Sequence, residues 1–390
     1  MSQADSIGAL TLNLLGRKFR QGRPLFAPPA QSVRSYGAAY AEIWFPSGGC
    51  HFDAKGECTM CNYGRSRKVS AATMIEAVRA GLASLPIIPK TLWVSAFNVL
   101  DDREVSPEAR RGIFAVLETT PVERVLLETH PLSVTTEKIQ ELQALIPGKS
   151  LGIELGIETM ADFARKWCIN KQLTKQEIRH AIATIQAAGA IPYVNLLIGT
   201  PFLSAAECLR ETRASIEALL ALGVRDICLF PTHVKEFTVV EQLARLNLYQ
   251  PLPLWALVEL LVSVPPETRC SLYYAWVTDV DHPGKPVSIP PRTGAEVYAD
   301  VVSLLYAYLA TRDDEQIARL AALRTPCRDE FCTRLAQKPA SPLPQRILEG
   351  VEALCGSALP GHFERYKQEI IQEITNDWEI ACQETHHQLC

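Results

Sequence analysis

Between residues 38 and 231 short apolar runs alternate with helix-start signals six times over, a rhythm that leaves few folds open. Stretches 38–45, 91–96, 122–128, 151–157, 191–198 and 226–230 read as strands, each too short for a helix and bounded by turn or capping residues. The intervals carry helix punctuation. Ser70 can cap a helix with Ile75, Val78, Leu82 and Leu85 on one face, and Ser106 precedes Pro107, a residue tolerated in a first helical turn. A further helix starts from Thr135 and stops before Pro147. Thr174 with Glu177 and Ser204 with Glu207 spell capping boxes, and their helices end at Gly189 and Gly223. Repeated strand–helix units with short links imply right-handed crossovers and a parallel sheet, either open or curled.

Cys50, Cys58 and Cys61 favour the curled form. They occupy a long loop after the first strand, at the C-terminal edge where parallel α/β folds place their chemistry. We therefore expect an α/β protein, a partial (β/α)6 TIM-like barrel over residues 38–265, with an N-terminal segment 1–37 and a mainly helical extension 266–390. Three thiolates spaced C-x7-C-x2-C can hold three corners of a [4Fe-4S] cube and leave the fourth iron open. Structural zinc is the rival, but it usually closes with four ligands in paired half-sites, and His51 abuts Cys50 too closely for easy joint chelation. A disulfide framework fits poorly in a chain of 390 residues with no secretory leader pattern.

Composition narrows the partners. With 47% hydrophobic and 21% charged residues the chain can bury a large core, and no uncharged apolar stretch reaches membrane-spanning length. Twelve cysteines point to a reducing, cytoplasmic setting in which thiolates can serve metals. A net charge of −4 does not favour a polyanionic partner, and the basic group Arg17, Lys18, Arg20, Arg23 and Arg34 reads as a solvated surface.

Several segments resemble the radical SAM superfamily, in the branch that contains the Elongator catalytic subunit and the tRNA methylthiotransferases, with spacing nearest to the radical SAM partner of archaeosine synthase. They are Gly49-Cys50 through Tyr63, Ser95 through Asp101, Glu128-Thr-His-Pro131, Glu154-Leu-Gly-Ile-Glu158, Cys168 through Lys171, Ile198-Gly-Thr-Pro201 and Pro231 through Glu241. The resemblance implies that a [4Fe-4S] cluster on the three cysteines chelates S-adenosyl-L-methionine (SAM) and cleaves it reductively to a 5′-deoxyadenosyl radical. It also implies an external one-electron reductant such as flavodoxin or ferredoxin. This chain departs from the best-known pattern in three ways. Its first cysteine gap is seven residues, Met60 stands at a usually aromatic position, and Ser95, Ala96 and Phe97 replace a Gly-Gly-Glu run. His130 stands where relatives often carry arginine.

Alternation assigns the fourth strand's faces independently of any family. Leu151, Ile153 and Leu155 point toward helices, while Gly152, Glu154 and Gly156 point into the barrel. An inward carboxylate between glycines needs a donor or ligand to meet it, which makes Glu154 the leading SAM contact beyond the cysteines, with a structural ion pair as the alternative. Glu158 shares its parity. Asn195 lies among apolar neighbours on the fifth strand, and Met60 and Tyr63 can flank adenine. Ser95 and the backbone of Ala96 and Phe97 are candidates for the methionine end of SAM. Glu128, His130 and His233 fall at strand ends as candidate acid–base groups. Tyr273, Tyr274 and Trp276, followed by Asp279, Asp281 and His282, are placed to cover the barrel mouth. Cys327, Cys332, Cys355, Cys382 and Cys390 are too irregularly spaced to name a second metal or cluster. The substrate expected is a small metabolite or natural-product precursor. A tRNA substrate, aminocarboxypropyl transfer from SAM, and a zinc-bearing binding protein remain as rivals.

Overall fold

The computed structural model describes residues 6–23, 32–64, 68–278, 287–291 and 293–384. Ten strands run in chain order: β1 Ser32–Ser35, β2 Tyr40–Trp44, β3 Thr91–Ser95, β4 Arg124–Thr129, β5 Ser150–Glu158, β6 Ile191–Ile198, β7 Asp226–Pro231, β8 Val234–Lys235, β9 Leu272–Tyr274 and β10 Val287–Ile289. Eight form one sheet in the order β1-β2-β3-β4-β5-β6-β7-β9, curled into a half-barrel, and β10 with β8 makes a small two-stranded ribbon. From β2 to β9 every neighbour is parallel. Six of those strands are the ones the alternation marks, shifted by at most two residues at an end. The periodicity does not reveal the other two. β1 pairs antiparallel with β2, and β9, only three residues long, extends the sheet beyond the last βα unit. Three residues are too few to show a period.

The helix signals hold. Ser70, Ser106 and Thr135 each accept the backbone N–H three residues on, and both capping boxes close reciprocally. One face of the sheet packs on these helices in the main core, where Leu151, Ile153 and Leu155 are buried. The other face lines the barrel. At its floor Gly152 leaves room for Leu126 and Tyr193, since a Cβ there would lie 2.2 Å from Leu126 and 2.7 Å from the Tyr193 ring. The Tyr193 hydroxyl accepts from Arg124 at 3.0 Å.

Beyond β9 the chain is mainly helical, as expected, with helices Tyr298–Thr311, Asp314–Ala322, Pro326–Ala336, Leu343–Ala358 and His362–Glu384. The last two close a second core with the N-terminal helix Ile7–Phe19 around Leu12, Leu15, Trp167 and Ile370. Gly8 permits this approach, because a Cβ there would lie 2.1 Å from the Trp167 ring. Among the described residues no helix is long and apolar enough to cross a membrane.

Candidate active site

The cysteine loop leaves β2 at its C-terminal end and is fixed mostly through its backbone. Cys50 N–H donates to the Tyr63 carbonyl at 3.0 Å, joining the two ends of the loop. Cys58 and Thr59 N–H groups donate to the Asn170 and Ile169 carbonyls at 3.0 and 2.8 Å, and Thr59 O accepts from Val240 N–H at 3.1 Å. Cys58 itself has φ of 60°, a left-handed conformation uncommon outside glycine, held by these contacts.

Arg20 supplies a further clamp from the N-terminal helix. Its Nη2 donates to the carbonyls of Glu57, Cys58 and Cys61 at 2.8, 2.9 and 2.9 Å, and it pairs with Asp53 at 2.7 Å. Arg23 also reaches Asp53, at 3.1 Å. The reading of the N-terminal basic group as a solvated surface is thus corrected for Arg20 and Arg23: their side chains are only 5% exposed. Neither the 30-residue separation nor the charge pattern signals that partnership. Gly16 enables it, since a Cβ there would come within 2.1 Å of the Gly56 carbonyl.

Cys50, Cys58 and Cys61 all face one cavity at the barrel mouth. The Cys58 and Cys61 thiols hydrogen-bond each other, which raises Cys58 and lowers Cys61, while burial raises Cys50 well above an ordinary thiol. Buried Lys235 adds a further influence that lowers Cys61. Among the described residues no three His, Cys, Asp or Glu side chains are grouped to hold a single metal ion. A cubane makes a different demand, because each thiolate binds its own iron and the sulfurs surround the cluster instead of converging on one point. Three thiols on one cavity wall, over a backbone already fixed, fit that demand.

The opposite wall consists of inward residues of the parallel strands. Glu154 accepts from Trp93 Nε1 and from Asn195, while the other Asn195 amide atom, Oδ1, is buried without a partner. Burial raises the Glu154 carboxyl, with these hydrogen bonds opposing the shift. Glu158 pairs with Lys171 at 3.1 Å, at a register shift between Gly156 and Glu158, and Lys171 Nζ also donates to the Gly156 carbonyl. Glu128 lies beside Glu154, and its carboxyl is raised well above the usual range by burial and then by Glu154 and Glu158.

His130 stacks on Phe52 with ring centroids 3.9 Å apart, and its Nδ1 accepts from Leu132 N–H at 3.2 Å. Nε2 therefore carries the proton, and it is buried without a partner. Burial holds His130 well below the ordinary histidine value, so the ring is neutral. His233 bonds the Pro231 carbonyl through Nδ1 at 3.0 Å and is pushed down to about 4, first by burial and then by Lys235.

An aromatic wall completes the cavity. Tyr63 stacks on Phe97 at 4.7 Å, and Trp44 packs on Trp93 at 4.6 Å. Lys235 sits over the rings of Tyr63 and Trp276 at 4.6 and 4.5 Å and donates to the Tyr63 hydroxyl at 3.1 Å. Met60 is buried beneath, against Cys58 and Leu197.

Of the residues singled out in the sequence, the three cysteines, Met60, Tyr63, Phe97, Glu128, His130, Glu154, Glu158, Asn195 and His233 share this cavity. Ser95 and Ala96 are different. Both are fully buried, the Ser95 carbonyl accepts from Phe45 N–H at 3.1 Å, and the Ala96 carbonyl from Ser47 Oγ at 3.1 Å. Each of those carbonyls thus has one partner within the protein. Trp276 lines the mouth as expected, Tyr273 is 40% exposed on β9, and Asp279, Asp281 and His282 lie outside the described residues. Among the described residues Cys327, Cys332 and Cys355 belong to no metal-holding group, and Cys390 lies outside those residues. Trp93 and Cys228 join the cavity beyond the residues that the sequence singles out, and so does Lys171, which the sequence names only as the end of a resembling segment. The parity of their strands signals Trp93 and Cys228, but Lys171 arrives from a loop.

A cysteine-bearing loop thus lies over the C-terminal mouth of a parallel half-barrel. No family model matches the chain. It is similar to archaeosine synthase subunit beta. The protein of that name from Methanosarcina acetivorans is 32% identical over 227 residues, covering 56% of this chain and 65% of that protein. The one from Thermococcus kodakarensis is 29% identical over 229 residues, covering 56% and 70%. The chain thus matches somewhat under two thirds of the Methanosarcina relative. Among solved structures, Methanocaldococcus infernus Elp3 is 13% identical, covers 62% of this chain and 59% of its own, and gives a TM-score of 0.44.

Proposed function

We propose that the chain is a radical SAM enzyme. The observation that carries this reading is the placement of three cysteine thiols on one wall of the barrel-mouth cavity, whose other wall presents Glu154, Asn195 and stacked aromatic rings. Cys50, Cys58 and Cys61 would hold a [4Fe-4S] cluster, and that group supplies one electron to cleave SAM. The chain's own residues do the rest. Glu154, already bonded to Trp93 and Asn195, has acceptor capacity left for the SAM ammonium or ribose hydroxyls. Asn195 Oδ1 adds an acceptor, and Tyr63, Phe97 and Met60 offer flat and soft apolar surface to adenine. Neutral His130 presents Nε2–H as a donor toward a bound molecule. The enclosing aromatic wall keeps water from a reactive radical.

The substrate in this reading is a small molecule, or a small reacting group, that enters beside Lys235 and Trp276. A cavity within the barrel mouth and a net charge of −4 favour it over a long polyanion. A second reading, with the reacting group carried on RNA, is favoured by the kinship with archaeosine synthase subunit beta. Anaerobic turnover with SAM and reductant separates the two. A metabolite pool treated with ribonuclease should stimulate 5′-deoxyadenosine formation under the first reading, whereas stimulation lost with ribonuclease establishes the second.

A further inference from the structure

We propose that Cys228 is a hydrogen-atom donor, its thiol held inside the barrel within reach of the carbon radical. The inference rests on the radical SAM reading and extends it to a residue outside the cysteine loop. Cys228 lies mid-strand in β7, opposite Asn195 of β6 in register, and both line the cavity that the loop cysteines face. Two buried polar atoms in the same cavity, Asn195 Oδ1 and His130 Nε2, have no partner within the protein. Such atoms are normally satisfied, so they mark the space as a ligand site and not a packing gap.

The surroundings of Cys228 suit hydrogen-atom donation and disfavour nucleophilic attack or metal ligation. Cys168, Cys208 and Cys355 are sealed in apolar cores, whereas Cys228 remains partly accessible. Burial, followed by the charges of Glu154, Glu42 and Glu128, keeps its thiol protonated at neutral pH. A protonated thiol is a poor nucleophile and a poor metal ligand. It keeps, however, an S–H bond weaker than the C–H bonds it would help to form. In the proposed step the S–H bond breaks homolytically, its hydrogen atom joins the carbon radical, and a thiyl radical remains on Cys228. One electron from the external flavodoxin- or ferredoxin-type reductant and one proton from solvent restore the thiol.

The test needs no substrate other than SAM. The full chain, loaded with its cluster, is incubated with SAM and dithionite in D2O, where the thiol carries deuterium. The 5′-deoxyadenosine formed should contain one deuterium, and this label should fall to background in Cys228→Ser, which keeps the side chain's size but offers a stronger O–H bond. Iron content should be the same in both. A second readout is independent of turnover. The Cys228 S–H stretch, identified in infrared difference spectra by its loss in Cys228→Ser, should shift when SAM binds. Deuterium that persists in Cys228→Ser, or an S–H stretch that SAM leaves unmoved, overturns the proposal and leaves the radical SAM reading standing. A wild type that forms no 5′-deoxyadenosine at all removes both.

Discussion

The cysteine loop is fixed through its backbone, whereas the wall facing it is fixed through side chains. On the loop, carbonyls and N–H groups of Cys50, Cys58, Thr59 and Cys61 are held by Arg20, Asn170, Ile169, Val240 and Tyr63, leaving the thiols uncommitted to the fold. On the wall, a regular strand supplies the backbone, and the working groups constrain one another, Trp93 and Asn195 on Glu154, Lys171 on Glu158. A loop that must present three ligands gains from support that leaves those ligands free. A strand can tune side chains in place. Damage to the loop's support should therefore cost cofactor and fold together, and damage to the wall should cost ligand binding alone.

The largest effect is expected at Asp53. Its side chain is 1% exposed between Arg20 and Arg23, so Asp53→Ala leaves two guanidinium groups without their buried counter-charge. Breaking a buried pair from one side costs about 3–5 kcal/mol. Denaturant unfolding of the apoprotein should show that loss, and iron content after reconstitution should fall with it. Full stability in the variant would break the comparison on the loop side.

Glu154→Ala tests the wall. The fold and iron content should persist, while SAM affinity falls by about ten- to a hundredfold, the equivalent of one charged hydrogen bond at roughly 1.5–3 kcal/mol. Calorimetric titration of SAM into the cluster-loaded variant reads this directly. Unchanged affinity would assign Glu154 to holding Trp93 and Asn195 in place and nothing more.

His233 gives a smaller, pH-dependent effect. It is buried neutral and titrates near 4 when folded, against 6.5 for the ordinary side chain. Between those values the unfolded chain holds the extra proton, so stability is fully present above about pH 6.5 and is lost as pH falls toward 4. The contribution is about 1–3 kcal/mol across that window. Replacing it as His233→Gln should flatten the stability profile there, and an unaltered slope would show that other groups govern it.

The wall is far more legible in the sequence than the loop's support. Alternation in a strand has a period of two, so Glu154 and Asn195 declare their faces as soon as the strand is recognised. The spacing of Cys50, Cys58 and Cys61 declares the ligands but not what shapes their backbone. Arg20 and Asp53 meet only because the N-terminal helix docks on the loop, and their charges alone look like those of any surface pair. Lys171 is hidden for the same reason, reaching Glu158 from a turn that follows a π-helical segment, Arg165–Ile169. Strand β9 is hidden by its brevity. The position of Ser95 and Ala96 at a strand end says nothing about which of their carbonyls the loop engages.

The central claim is that the loop presents its three thiols to an iron–sulfur cube. Iron and sulfide analysis of anaerobically purified protein, set beside Cys50→Ala, Cys58→Ala and Cys61→Ala, addresses it most directly. The account predicts a brown wild type with about four iron and four sulfide per chain, and loss of both in each variant. A colourless wild type that keeps stoichiometric zinc under the same handling would contradict it.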